Sequence, residues 1–126
     1  MFLSEQKSTI SEYKKLYQSI GNIKCPYFGG ERIFFNRKGF NHLLRRGRKS
    51  RFFVEQKERL PLLIYCKSIL STDHKNVEHR IVKKFDTSAF FWTFTARFDD
   101  VDMKLVIRQI GSNGQKHFFS IFPIKS

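Results

Sequence analysis

Between Val77 and Phe122 the chain alternates β-prone stretches with short polar breaks, and this pattern limits the available folds more than any other feature. Val77 to Phe85, Phe90 to Phe98, Met103 to Ile110 and Lys116 to Phe122 are rich in β-branched and aromatic residues. Asp99-Asp100-Val101-Asp102 and Gly111-Ser112-Asn113-Gly114 have turn chemistry. Short breaks join antiparallel neighbours, whereas a parallel return takes a longer crossover. Upstream, the periodicity is helical. Ser4 to Ile20 carries Ile10, Tyr13, Leu16, Tyr17 and Ile20 at helical spacing, with Ser4 as a cap and Gly21-Asn22 as a stop. Cys25 to Gly30 reads as a turn region, and Arg32 to Phe35 as short and β-prone. Asn36 can cap a helix from Arg37 to about Arg46 that buries Phe40, Leu43 and Leu44 and turns Lys38, His42, Arg45, Arg46 and Lys49 outward. A further helix is expected from Ser50 to about Leu70, kinked or restarted at Pro61. The expectation is α+β: one domain over residues 1–126, with N-terminal helices packed on a four-stranded antiparallel sheet.

Charge narrows the partners. Lys plus Arg number 24 against 11 acidic residues, a formal net charge of +13. Such a surface attracts polyanions. Charge alone does not separate RNA from DNA, an anionic membrane or an acidic protein. From Lys24 to Arg51 there are nine basic residues and one acid, Glu31, but Phe34, Phe35, Phe40, Leu43 and Leu44 interrupt the charge. The segment therefore reads as folded and basic, not as a disordered arm. Lys38, Arg45, Arg46, Arg48, Lys49 and Arg51 are its candidate RNA-binding residues. Met1-Phe2-Leu3 is too short an apolar start for a signal peptide, and no apolar run reaches membrane-spanning length. The expectation is a cytoplasmic protein, not bound to a membrane, with Cys25 and Cys66 reduced.

The last two strands carry the candidate chemistry: Arg108 on one, and Lys116, His117 and Ser120 on the other. Side chains alternate across a strand, so the register decides which of them meet. An odd connecting loop sets Met103, Leu105 and Ile107 with Phe119 and Ile121, and gathers Val106, Arg108, Lys116, Phe118, Ser120 and Phe122 on the other face. An even loop pairs Arg108 with His117 and moves Ser120 beside Leu105. The odd loop segregates apolar residues better, and His117 competes with Lys116 as a site residue.

Other motifs carry less. His74 and His79 are five apart, which is neither helical nor alternate-strand spacing, so no metal site is expected there or elsewhere. Neither Gly29-Gly30 nor the 111–114 turn matches a phosphate-binding loop. Trp92, Phe90, Phe91 and Phe94 read as core. The alternative, a base-stacking platform, needs their rings exposed on one sheet face.

Gly39-Phe40-Asn41-His42-Leu43, the Phe118-Phe119-Ser120-Ile121-Phe122-Pro123 strand and Arg108 on the strand before it carry a family likeness. Over about Cys25 to Pro123 the chain resembles the small-nuclease superfamily that groups barnase, EndoU, the colicin-type tRNA nucleases and RelE-like toxins, most closely its phage-associated members. The resemblance implies a toxin-type endoribonuclease that needs no metal or cofactor. In such an enzyme the ribose 2′-OH attacks the adjacent phosphate, leaving a 2′,3′-cyclic phosphate and a 5′-OH. His42 would move protons. Arg108, with Arg45 or Arg46, would hold the phosphate. Ser120 would donate a hydrogen bond to it, and Lys116 or His117 would supply the remaining charge or second proton carrier. The substrate implied is tRNA or mRNA, the latter on the ribosome in some members, and the implied partner is an acidic antitoxin or immunity protein. The other reading of the residues is a non-catalytic basic RNA- or DNA-binding domain.

Overall fold

The computed structural model describes residues 2–46, 49–50, 53–74 and 76–124. Helix α1 (Phe2–Ile20) begins ahead of Ser4, so Ser4 lies within it and is not its cap. It stops at Gly21, whose φ of 66° is the left-handed conformation that glycine adopts without penalty. Strands β1 (Asn22–Cys25) and β2 (Glu31–Phe34) form a hairpin around a 3₁₀ turn, Pro26–Phe28. Helix α2 (Arg37–Leu44) follows, and the side chain of Asn36 caps it by accepting from the Gly39 N–H at 3.1 Å. Next come the two-residue strands β3 (Arg45–Arg46) and β4 (Lys49–Ser50), then α3 (Phe53–Arg59), a 3₁₀ stretch (Leu60–Tyr65) and α4 (Cys66–Ser71). The chain ends in the meander β5 (Val77–Lys84), β6 (Thr87–Phe98), β7 (Val101–Ile110) and β8 (His117–Pro123).

The α+β class and the four-strand antiparallel meander are as expected, but the sheet is larger. It has six strands in the order β1-β2-β8-β7-β6-β5 and is mixed, because β2 runs parallel to β8 through the pair Phe34 and His117. The β1–β2 hairpin also separates α1 from α2 in the sequence, so the helices do not simply precede the sheet. The β-prone stretch expected at Arg32 to Phe35 corresponds to β2, whereas β1 and the parallel pairing with β8 lie outside the expectation. Helix α2 is also shorter than its sequence implies. Arg45 has extended backbone (φ −130°, ψ 149°), and Arg45 and Arg46 pair with Ser50 and Lys49 across β3–β4. Helical spacing therefore does not carry past Leu44, and Arg45, Arg46 and Lys49 do not share a helix face with Lys38 and His42. Arg48 and Arg51 lie outside the described residues. The helix expected from Ser50 starts at Phe53, since Ser50 belongs to β4, and Pro61 falls in the 3₁₀ stretch.

One sheet face makes the core. Phe94, Met103, Leu105, Ile107, Phe118 and Ile121 are fully buried there against Tyr17 of α1, Leu60, Leu62 and Leu63 of the 3₁₀ stretch, and Ile69 and Leu70 of α4. Both cysteines are buried and unbridged. The other face carries Arg80, Phe91, Thr93, Val106 and Arg108, and α2 and α3 both contact β8.

The approach of α2 to β8 turns on Gly39. A Cβ at this position would lie 2.5 Å from the Phe118 carbonyl and 2.5 Å from the Tyr17 hydroxyl. Tyr17 donates to the Asn36 carbonyl at 2.6 Å, and its ring packs among Phe35, Phe40 and Phe118. Burial raises the pKa of this phenol, which keeps it a donor. Gly39→Ala must push backbone away from backbone. Its expected effect is a loss of about 1–3 kcal/mol of unfolding free energy, read by urea denaturation. An unchanged midpoint would contradict the close approach.

Candidate active site

The hairpin register is settled by a β-bulge. Lys104 faces Phe122, Leu105 faces Ile121 and Val106 faces Ser120, but Ile107 faces Phe118 and Arg108 faces His117. Phe119 is the extra residue. Each alternative therefore holds on one side of the bulge: Val106 shares Ser120's face as the odd register requires, and Arg108 meets His117 as the even one requires. Phe118 points into the core and Phe119 to the opposite face, where its ring packs against Phe91, and because of the bulge Ser120 stays on the Phe119 side while Ile121 returns to the core.

His42 and Arg108 converge on Phe119. The imidazole ring centre of His42 lies 4.2 Å from the Phe119 centroid, and the Arg108 guanidinium carbon lies over the same ring at 4.7 Å. Two adjoining depressions share this wall. One, of about 740 Å³, is lined by His42, Arg59, Phe91, Phe119, Ser120 and Phe122. The other, of about 250 Å³, is lined by His42, Phe119, Arg108, Arg45, Lys38 and Asn41. The sheet supplies Arg108, Phe119 and Ser120, and α2 supplies His42 through the contact at Gly39.

Arg108 is oriented by His117. Its Nε donates to Nε2 of His117 at 3.0 Å, so that nitrogen is the acceptor and Nδ1 carries the proton, facing the Gln115 carbonyl at 3.4 Å. Burial first, then the Arg108 charge, holds His117 below its ordinary value of 6.5. Burial also lowers the pKa of Arg108, but a guanidinium stays charged. Among the described residues, no acceptor pairs with its two Nη groups. That fork is available to a phosphate.

Ser120 is buried, and its Oγ accepts from Nη1 of Arg59 at 2.9 Å. The hydroxyl proton therefore remains able to donate. Arg59 in turn lies over the Phe122 ring at 5.2 Å, and Arg80 lies over Phe91 at 5.1 Å. Three arginines thus lie over three phenylalanines along one face.

Of the residues expected at the site, His42, Arg108, Ser120 and His117 gather here, with Lys38 and Arg45 at the rim. Lys116 does not. It points to the other face, ion-paired with Glu31 at 2.8 Å and set over the rings of Phe28 and Trp92. Phe91 leaves the core for the cleft, whereas Phe94 is core and Trp92 packs against it. Arg59, Phe119 and Phe122 were missed. Arg59 lies 61 residues from Ser120, and no periodicity joins them.

The fold and site define a basic α+β domain with an arginine-, histidine- and phenylalanine-lined cleft on the open face of its sheet. Comparisons with family models, curated proteins and solved structures find no match to the chain.

The lowered His117 pKa has a pH signature. Above pH 6.5 both folded and unfolded chains hold the imidazole neutral, and the Arg108 contact contributes fully. As pH falls below 6.5 the unfolded chain takes the proton first, so this contribution is lost on the way down through the lowered folded value. His117→Gln, whose amide can accept from Arg108 without titrating, should flatten that part of the acid limb in denaturation measured from pH 8 to 5. An identical limb in both proteins would contradict the pairing.

Proposed function

We propose that the protein is a toxin-type endoribonuclease that cleaves tRNA or mRNA by 2′-OH transesterification without a metal. The observation that carries this reading is the convergence of His42 and Arg108 on the Phe119 ring beside Ser120. His42 takes the proton of the 2′-OH as it attacks phosphorus. The free fork of Arg108 binds the non-bridging oxygens, whose charge grows in the pentavalent intermediate. Ser120, with its oxygen held by Arg59, donates to the same phosphate. The 5′-oxygen leaves as the alcohol, taking its proton from solvent water in the open cleft, and His42 afterwards returns its own proton to solvent. Neutral His117 positions Arg108, and Lys38 and Arg45 attract neighbouring phosphates.

This reading keeps the cytoplasm as the place of action and an acidic antitoxin or immunity protein as the partner, since a +13 surface docks an acidic one. Among the described residues no helix is long and apolar enough to cross a membrane. A second reading, a non-catalytic RNA- or DNA-binding domain, draws on the three arginine–phenylalanine pairs, which offer bases a stacking surface without chemistry.

The two readings part on cleavage. Purified protein incubated in EDTA with total tRNA, and with mRNA on ribosomes, should give fragments ending in 2′,3′-cyclic phosphate. His42→Ala should slow this by about 10²–10⁴-fold, and Arg108→Ala by about 10²–10³-fold. RNA that is bound but left intact on both substrates would select the binding domain.

A further inference from the structure

The β5–β6 hairpin ends in an unusual residue. Lys84 and Thr87 pair, so Phe85 and Asp86 alone make the turn. Phe85 has φ of +58° and is 95% exposed. The left-handed region is where a two-residue hairpin turn ordinarily uses glycine or asparagine. A phenylalanine there strains the backbone and leaves an aromatic ring in water with nothing to pack on. Both features work against folding, so neither is explained by stability. Lys83 and Lys84 precede the ring, and among the described residues neither is in an ion pair. The neighbouring Ile81 and Val82 are 53% and 40% exposed.

The arm leads to the cleft. From the turn, β6 runs four residues from Thr87 to Phe91, the ring that carries Arg80 and contacts Phe119. At about 3.3 Å per residue this sets Phe85 roughly 15–20 Å from the cleft wall, with Arg80 and Lys84 on the connecting face.

We propose that the β5–β6 hairpin is an RNA-recognition arm whose tip residue, Phe85, stacks on a base of RNA bound across the cleft. The claim names a second contact for the substrate of the site proposed above and rests on that reading for the identity of the nucleic acid. Continuity with the cleft favours RNA over a lipid surface: Lys84 and Arg80 lie on the strand face that leads through Phe91 to Arg108.

The test is a pair of readouts on Phe85→Gly. Glycine relieves the left-handed strain, so the variant's melting temperature should rise by about 2–4 °C. Its affinity for a folded tRNA, measured by fluorescence anisotropy at fixed salt, should fall about 5- to 100-fold, the range for losing one base–aromatic stack. Phe85→Tyr should restore the affinity. Anisotropy reads binding, so the outcome stands whether or not the RNA is cut, and a failure of cleavage alone leaves this claim intact. Three results would overturn it: a higher melting temperature with unchanged tRNA affinity; a lower melting temperature with affinity lost in step, which marks Phe85 as structural; or loss of binding to phosphatidylserine vesicles with tRNA binding preserved, which marks a membrane contact.

Discussion

The missing side chain at Gly39 is the constraint on which the rest of the site depends. It lets α2 come within contact of the β8 backbone, with the Tyr17 hydroxyl wedged between them and bonded to the Asn36 carbonyl. Tyr17, Phe35, Phe40 and Phe118 close around that point, and Phe35 and Phe118 stack at 5.1 Å. The helix phase then does the remainder. Phe40 and Leu43 turn into the core, and His42, between them, turns to the Phe119 ring. A tyrosine on the first helix thus sets the position of an imidazole on the second.

The β-bulge in β8 is the matching device on the sheet. A regular strand presents alternate residues to one face, so Phe118 and Phe119 could not both be buried usefully without moving Ser120 into the core. The extra residue keeps Phe118 and Ile121 in the core and brings Phe119 and Ser120 to the cleft. It also places His117 beside Arg108, which fixes the guanidinium through its Nε. Four consecutive residues therefore serve three purposes: orienting a cation, filling the core and lining the cleft.

Much of this was legible in the sequence because it rests on local pattern. The four meander strands, the Asn36 cap and the apolar face of α2 follow from turn chemistry and periodicity. His42, Arg108 and Ser120 are grouped by a family likeness and not by periodicity; in the structure His42 shares one depression with Ser120 and the adjoining one with Arg108. What could not be read depends on long-range geometry. The single β2–β8 pair that enlarges the sheet leaves no periodic trace. Neither does the bond from Arg59 to Ser120. Lys116 and His117 looked interchangeable, but as adjacent positions they take opposite faces: one is ion-paired with Glu31, and the other is bonded to Arg108. Phe91 looked like core because a run of aromatics on a strand does not say which of its members faces the helices.

The central claim is that His42 and Arg108 form one phosphate-binding site. The most direct measurement is a titration with an uncleavable 2′-O-methyl RNA, followed by NMR of the His42 ring protons and the Arg108 guanidinium. The account predicts that both signals shift together with one affinity, and that His117→Ala, which removes the acceptor for the Arg108 Nε, weakens the response at both. Independent shifts, or a response confined to Arg45 and Lys38 at the rim while His42 stays silent, would contradict it.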